Sequence, residues 1–594
     1  MHGSSNPFFR RHYQLLGIIM LVAIALRIWH LGTKPLWLDE VIGAIFTLGK
    51  GLDDIPLGVI FPLTDLSQIF SLAPGASCHQ ITQTVATESV HPPLFFCLQY
   101  AWLSHWLPFL SSVVPMFNDT RSWVWVLRSL PALVGIVGVL GIYGLGRMVM
   151  GMRTGLIAAA LMAVSPFAVY LSQEARHYTL PMLWMILGLM GLVRIQQLMV
   201  KRLPVPPWLL VIWIAVNSLG LYTHYFFLLD FVAQIVALGG WMAWEGWQGN
   251  SSITKDIKGL YRYVGQLGLS ITVIIVSYAP WVPTLLQHIT RPETDWLKPY
   301  KPDWSDRVAP IYQTFMGWIL MVVSLPVESQ PLAIAIPSVL GMVIFGLWLA
   351  WQVFHGIKQA WQVQTNQPTL KLFLLLTISL LIQVLAIVYI LDKDITAIPR
   401  YNFISYPVIL ILIAIGLTPP LAHSPKVLCS PLTLTLLIGF LSTLLAIHGI
   451  VFQKGYYPHR VAKDMTHVPE ESLLVAVSYR SLQEVALGLS FALEIEKRYP
   501  PHQAAIANSG PASMMFVDRS EGFGPAWRQL RHAPHSLPLP LNLWAIASPG
   551  MKTKNYPPTL TIRRPHRKAK VACKIDPDHF HRIGFPYQLF RCPE

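Results

Sequence analysis

The stretch His91–Leu110, HPPLFFCLQYAWLSHWLPFL, decides the fold of this chain. It is as long and apolar as a membrane span, for which about 20 residues are needed. If it crosses, however, the basic loops that follow fall on the wrong side of the bilayer, against the tendency of Lys and Arg to stay cytoplasmic. Read instead as a helix lying at the outer interface, with its Trp and His at headgroup level, it leaves every later loop in register.

Composition supports a membrane frame. The 594 residues are 53% hydrophobic and 12% charged, against about 25% charged in soluble domains. The net charge of +15 therefore reads as topology, and no nucleic-acid partner is expected. The opening MHGSSNPFFRRHYQLLGIIMLVAIALRIWHLG has the basic start and apolar core of a signal peptide, but Arg27 and Ile28-Trp29-His30 replace a small-residue cleavage site. It is expected to be a retained first helix with its N-terminus in the cytoplasm.

From that start the apolar runs predict about eleven spans. The first ends outside near Leu31 and the second is Leu130–Val149. The third, GLIAAALMAVSPFAVYL, delivers SQEARHY outside, and the fourth ends inside at Arg194, Lys201 and Arg202. The fifth rises to YTHYFF, the sixth descends to TKDIKGLYRY, and the seventh runs from about Gly268 to Leu286. The eighth reaches HGIKQAWQVQTNQPTLK inside, the ninth LDKDITAIPRYN outside, the tenth TPPLAHSPKV inside, and the eleventh emerges near Phe452. Phe315–Val327 is expected to be a second interfacial helix. This gives a transmembrane domain over 1–452, with outer loops at about 32–129 and 287–330, and a small extracytoplasmic α/β domain over 453–594. In that tail, Cys573 and Cys592 form either a disulfide or two free thiols, and IRRPHRKAK (562–570) reads either as a headgroup contact or as a solvated loop.

Ionisable groups are costly in hydrocarbon, so their positions sort the functional classes. The unusual ones gather at outer helix ends: Asp39, Glu40, His91, Glu174, Arg176, His177, His224 and Arg400. A proton- or ion-coupled transporter would instead bury such groups near the midplane. Carboxylates accept protons from attacking hydroxyls, and arginine stabilises a departing phosphate. Both suit sugar transfer from a lipid-borne phosphate donor.

Five motifs occur in order: PLWLDE, HPPLFFCLQYAWL, SPFAVYLSQEARHYTL, LYTHYFF and PRYNFISYPVILILIAIGL. Together they resemble membrane glycosyltransferases of the GT-C type, in the family 39-like branch related to protein O-mannosyltransferases and the lipid A aminoarabinose transferase. The resemblance implies a GT-C-like helical fold, a polyprenyl-phosphate monosugar donor, a lipid, glycan or protein acceptor, and inverting transfer in the inner (plasma) membrane. It implies that Asp39 is the catalytic base, with Glu40 beside it, and that Glu174 is a second acid. Arg400 of the PRY motif would contact the donor phosphate, and His91 would lie near the acceptor or lipid phosphate. Arg176, His177, Tyr178, His224 and Tyr401 complete the candidate binding residues.

Structural readings stand beside these. Asp39 also suits a helix N-cap, and Glu40 is either a partner in catalysis or a helix-start residue favoured by the dipole. Glu174 and Arg176 could form an ion pair within the loop, His91 could mark a turn before its prolines, His224 could be an interfacial histidine, and Arg400 could snorkel to headgroups. DKD (392–394) and DPDHFH (576–581) are not specific ligand patterns, and no obligatory metal or other cofactor is expected. The competing functional classes are a lipid-linked sugar flippase and a polysaccharide polymerase or ligase.

Overall fold

The structure, a computed structural model, describes residues 7–113, 122–248, 257–298, 303–418, 430–498, 511–534, 536–563 and 570–593. The chain divides into two compact units that interleave in sequence. One comprises Met1–Leu31, Val90–Phe95 and Arg128–Gln453, and the other Gly32–Ser89, Phe96–Leu127 and Lys454–Glu594. Where the sequence suggests one boundary at 452/453, most of the first outer segment instead belongs to the unit of the tail.

The first unit is helical. Among the described residues, seven helices are long and apolar enough to cross a membrane, and Met152–Ala163 with Pro166–Ser172, bent by 60°, makes an eighth if the pair is one broken span. Three shorter apolar helices, Pro207–Thr223, Tyr406–Gly416 and Pro431–Ile447, fall where the fifth, tenth and eleventh spans are expected. The bend follows from sequence: Pro166 starts the second segment, where its missing N–H is harmless. The Ser165 hydroxyl accepts from Ala168 N at 3.1 Å and donates to Met321 O at 2.6 Å. Leu94–Val113, in the first outer segment, is not among the helices long and apolar enough to cross; where an interfacial helix over Phe315–Val327 is expected, the helix instead runs Trp304–Leu320, and it too is not among them. The loop TPPLAHSPKV beyond Thr418, Cys429 and most of IRRPHRKAK lie outside the described residues.

Spans are less free of ionisable groups than the sequence suggested. Arg27 is fully buried and donates to Met162 O at 2.9 Å and Ala163 O at 3.3 Å, so its terminal nitrogens are met by carbonyls freed at the helix bend. Asp230, in the first turn of Phe227–Trp247, accepts from Gln234 Nε2 at 2.7 Å. Gln234 in turn donates to Asn217 and accepts from Trp213 Nε1. This network ties two neighbouring helices together.

The second unit is α/β, as expected of the tail. Its strands are β1 (Ile60–Pro62), β2 (Ser472–Tyr479), β3 (Ala512–Asp518), β4 (Leu541–Ile546), β5 (Thr559–Arg563), β6 (Lys570–Ile583) and β7 (Phe585–Cys592). They form one sheet in the order β1-β3-β2-β4-β7-β6-β5, with β2 parallel to both β3 and β4. The run SLLVAVSY is buried along all but its last residue, which is why it lacks polar alternation. The edge strand β1 comes from the first outer segment and pairs antiparallel with β3, Ile60 opposite Met515. Disulfides join Cys573 to Cys592 across β6 and β7, and Cys78 to Cys97; the second pairing was not anticipated.

Candidate functional site

In the first unit the site is built from three helix-to-helix corners and one loop. Gln173–Tyr178 (QEARHY) joins Pro166–Ser172 to Thr179–Val200 in a tight turn, with Arg176 N donating to Glu174 O at 2.7 Å and Leu180 N to His177 O at 3.1 Å. Gln173 fastens this corner to the end of the first helix by donating to Leu26 O at 3.1 Å and Trp29 O at 2.8 Å. Consequently Glu174, Arg176, His177 and Tyr178 are all buried, which is unusual for a run of charged and polar residues.

The second corner is YTHYFF. His224 ends Pro207–Thr223 in extended backbone, and Phe226 N donates to its Nδ1 at 3.0 Å. Gly220 lets the chain reverse closely, since a Cβ there would meet the Phe227 ring at 2.3 Å. The third is the turn Pro399–Ile404, from which Arg400 Nε donates to Tyr178 Oη at 3.1 Å. The loop supplies His91, whose Nε2 accepts from Arg176 at 3.3 Å.

These pieces converge. The rings of His91 and His177 are 4.6 Å apart, those of His177 and His224 4.6 Å, and those of His91 and His224 6.0 Å. Tyr178 lies 4.8 Å from His177 and 5.5 Å from Phe403. Arg400 sits with its Cζ 5.5 Å from the Tyr401 ring and is close enough to act electrostatically on His91. Glu174 and Arg400 both act on the phenol of Tyr170. Thus eight sequence-predicted residues, His91, Glu174, Arg176, His177, Tyr178, His224, Arg400 and Tyr401, share one neighbourhood.

Burial keeps the imidazoles neutral. It pushes His91 well below its usual pKa, with Arg176 adding to the effect, and His177 likewise, with His224 next in weight. His224 is pushed down to about 3 by burial and then by Arg176. The hydrogen bonds also fix where their protons sit. A guanidinium can only donate, so His91 Nε2 is the acceptor and its proton lies on Nδ1. A backbone N–H donates to His224 Nδ1, so that proton lies on Nε2. Among the described residues, His224 Nε2 and His177 Nε2 are buried without a hydrogen-bond partner.

One nitrogen from each of the three histidines lies within 4.8 Å of the others, so they are the residues here within reach of a metal ion. To bind one, His91 would have to release Arg176, and His224 the Phe226 amide, because a metal needs the lone pair that each bond occupies or displaces. As folded, the cluster presents N–H donors and two guanidiniums, a set suited to a ligand that only accepts hydrogen bonds.

Asp39 and Glu40 belong to the second unit. Asp39 is half-buried at the start of Leu38–Thr47, whereas Glu40 is fully buried and accepts from Trp37 N at 3.5 Å. Of the two readings of Glu40, this geometry favours the helix-start role.

The sequence reading passed over His288, whose Nδ1 lies 2.6 Å from Tyr225 Oη and which acts on His91, and Glu328, which accepts from Gln453 N at 2.8 Å. His288 lies in the last turn of Val282–Ile289, a helix end of the kind that flagged the others, and Glu328 in the turn before Leu332–Trp361.

Fold and site together define a multi-pass helical membrane protein carrying an α/β unit. No family model matches the chain and no curated protein matches it. Among solved structures it is similar to ArnT from Cupriavidus metallidurans in the apo state, at 11% identity over 97% of both chains with a TM-score of 0.48. The same protein bound to undecaprenyl phosphate gives 12% identity, 97% coverage of both chains and a TM-score of 0.46. Archaeal oligosaccharyltransferase AglB from Archaeoglobus fulgidus, in complex with an inhibitory peptide and a dolichol-phosphate, gives 14% identity over 83% of this chain and a TM-score of 0.44. The match spans 64% of the AglB chain.

Proposed function

We propose that this protein is a GT-C-like membrane glycosyltransferase, which transfers a monosaccharide from a polyprenyl-phosphate donor to a hydroxyl of a lipid, glycan or protein acceptor. The observation that carries this reading is the convergent donor set of buried Arg176, His177 and His224 with half-buried His91 and Arg400, the imidazoles neutral. Phosphate oxygens only accept, and they are bound most strongly by guanidinium groups in water-poor surroundings.

In the reaction the acceptor oxygen attacks the anomeric carbon and the bond from that carbon to the phosphate oxygen breaks. Asp39 takes the hydroxyl proton. The electron pair leaves with the polyprenyl phosphate, whose growing charge is met by Arg400, Arg176 and the histidine N–H groups. Glu174 holds the acceptor or serves as a second acid, and Tyr178 and Tyr401 fix the Arg400 side chain. One base is enough for inversion, and no covalent sugar intermediate is required. The two disulfides support an oxidising, extracytoplasmic setting for the second unit.

The test is mass spectrometry of glycolipids and envelope glycans from a strain lacking the gene, complemented with wild type or Asp39→Asn. One sugar modification should disappear and return only with wild type. An unchanged glycan profile in the deletion strain would contradict the proposal.

A further inference from the structure

The second unit builds the acid-bearing segment from opposite ends of the chain. Leu482–Glu496 packs one side onto β2 and β3, where Gly488 allows close approach: a Cβ there would meet Phe516 at 2.7 Å and Val477 at 3.0 Å. Its other neighbours are Leu38–Thr47 and Pro458–Met465. Such a helix is buried all round, with Val485, Ala486, Leu489, Phe491 and Ala492 inaccessible.

Within that contact lies one specific bond. Ser490, itself buried, donates from Oγ to Leu36 O at 2.5 Å. Leu36 is three residues before Asp39, in the extended stretch that enters the helix. Lys454 adds a second tether, its Nζ 4.0 Å from the centre of the Trp37 ring. The same outer segment is fastened further along by β1 and by Gly58 N, which donates to Phe516 O at 3.0 Å.

We infer that Ser490 is a positioning residue for Asp39, and that the tail domain serves catalysis by holding the Leu36–Glu40 turn in one conformation. The turn's own bonds, Glu40 N and Val41 N to Trp37 O, set where the helix starts, and the anchor on the Leu36 carbonyl sets the direction from which the chain enters it. Misplacing a reacting group by about 1 Å can lower the rate by about 100-fold. The inference rests on the proposed role of Asp39.

The experiment uses the full chain in membranes of cells lacking the chromosomal copy, with turnover read as formation of the glycan that Asp39→Asn reduces by orders of magnitude to a residual, measurable level. Backbone amide exchange is measured on the same purified variants. Ser490→Ala should lower turnover about tenfold at equal amounts of folded protein, and speed exchange at Trp37–Val41 while leaving β2 and β4 unchanged. Lys454→Met should do the same more weakly, and it covers the case in which Ser490→Ala does not fold. In an Asp39→Asn background, Ser490→Ala should have no further effect, because positioning acts only through the carboxylate. Unchanged turnover, unchanged exchange at Trp37–Val41, or a loss that adds to that of Asp39→Asn would overturn the inference. If Asp39→Asn itself turns over normally, the proposed function fails first, and faster exchange in Ser490→Ala would separate that failure from a failure of anchoring.

Discussion

The two regions singled out by their charged residues are built in opposite ways. The histidine–arginine corner of the first unit is made by local reversals between successive helices, each closed by its own backbone bonds, and Glu174, Arg176, His177, Tyr178 and His224 in it are buried while His91 and Arg400 at its edge are half-buried. The Asp39 segment of the second unit has a local frame only at its helix start, where Glu40 N and Val41 N donate to Trp37 O. It is held by a helix some 450 positions away in sequence, and its acid is left half-buried. The contrast separates two tasks: a corner made to bind charge needs rigidity and exclusion of water, whereas a base needs a fixed direction and access to a proton.

Substitutions at the two sites test that contrast. The largest effect is expected at Arg400. Arg400→Gln should lower transfer by about 100-fold or more, the scale of losing a donor to developing charge, and Arg400→Lys should not restore it, since lysine lacks the planar fork. Turnover within a few fold of wild type for either variant would remove Arg400 from the reaction.

A smaller effect is expected at His224. His224→Gln, which keeps an N–H donor, should retain more transfer than His224→Ala. Equal losses, or bound zinc in the purified wild type that disappears in both variants, would turn the donor set into a metal site. At Glu40 the expectation reverses. Glu40→Gln should lower thermal stability by about 1 kcal/mol, the scale of a lost cap, yet leave turnover per folded molecule within about twofold. Loss of turnover at unchanged stability would make Glu40 a reacting group.

The last effect is on pH. The histidines of the corner are depressed, His224 to about 3 from an ordinary 6.5. The unfolded chain therefore binds protons below about 6.5 that the folded chain refuses, and stability, full above that value, declines as pH falls toward 3. Thermal unfolding in micelles between pH 7.5 and 5 should show this decline, shallower in His224→Gln. A flat profile would mean that the corner is open to water.

Much of this was legible from sequence, for reasons that differ by region. Apolar runs of about 20 residues mark helices directly, and the reading of His91–Leu110 as other than a span agrees with the crossing helices found. The corner was legible residue by residue, because ionisable groups at helix ends are conspicuous in an apolar chain. Their convergence was not, since His91, His177 and His224 meet only through tertiary packing. Nor was the sharing of the outer segment with the tail: Ile60-Phe61-Pro62 is too short to carry a strand period, and nothing local in PLWLDE points to Ser490. Glu40 and Asp39 look equivalent in sequence and differ only once one of them is buried.

The central claim is that Asp39 is the base of a sugar transfer, and its most direct test is Asp39→Asn in cells lacking the native copy, with the envelope glycans weighed by mass spectrometry. Folded protein is expected in normal amounts, with product reduced by orders of magnitude. Near-normal product from Asp39→Asn would contradict that claim.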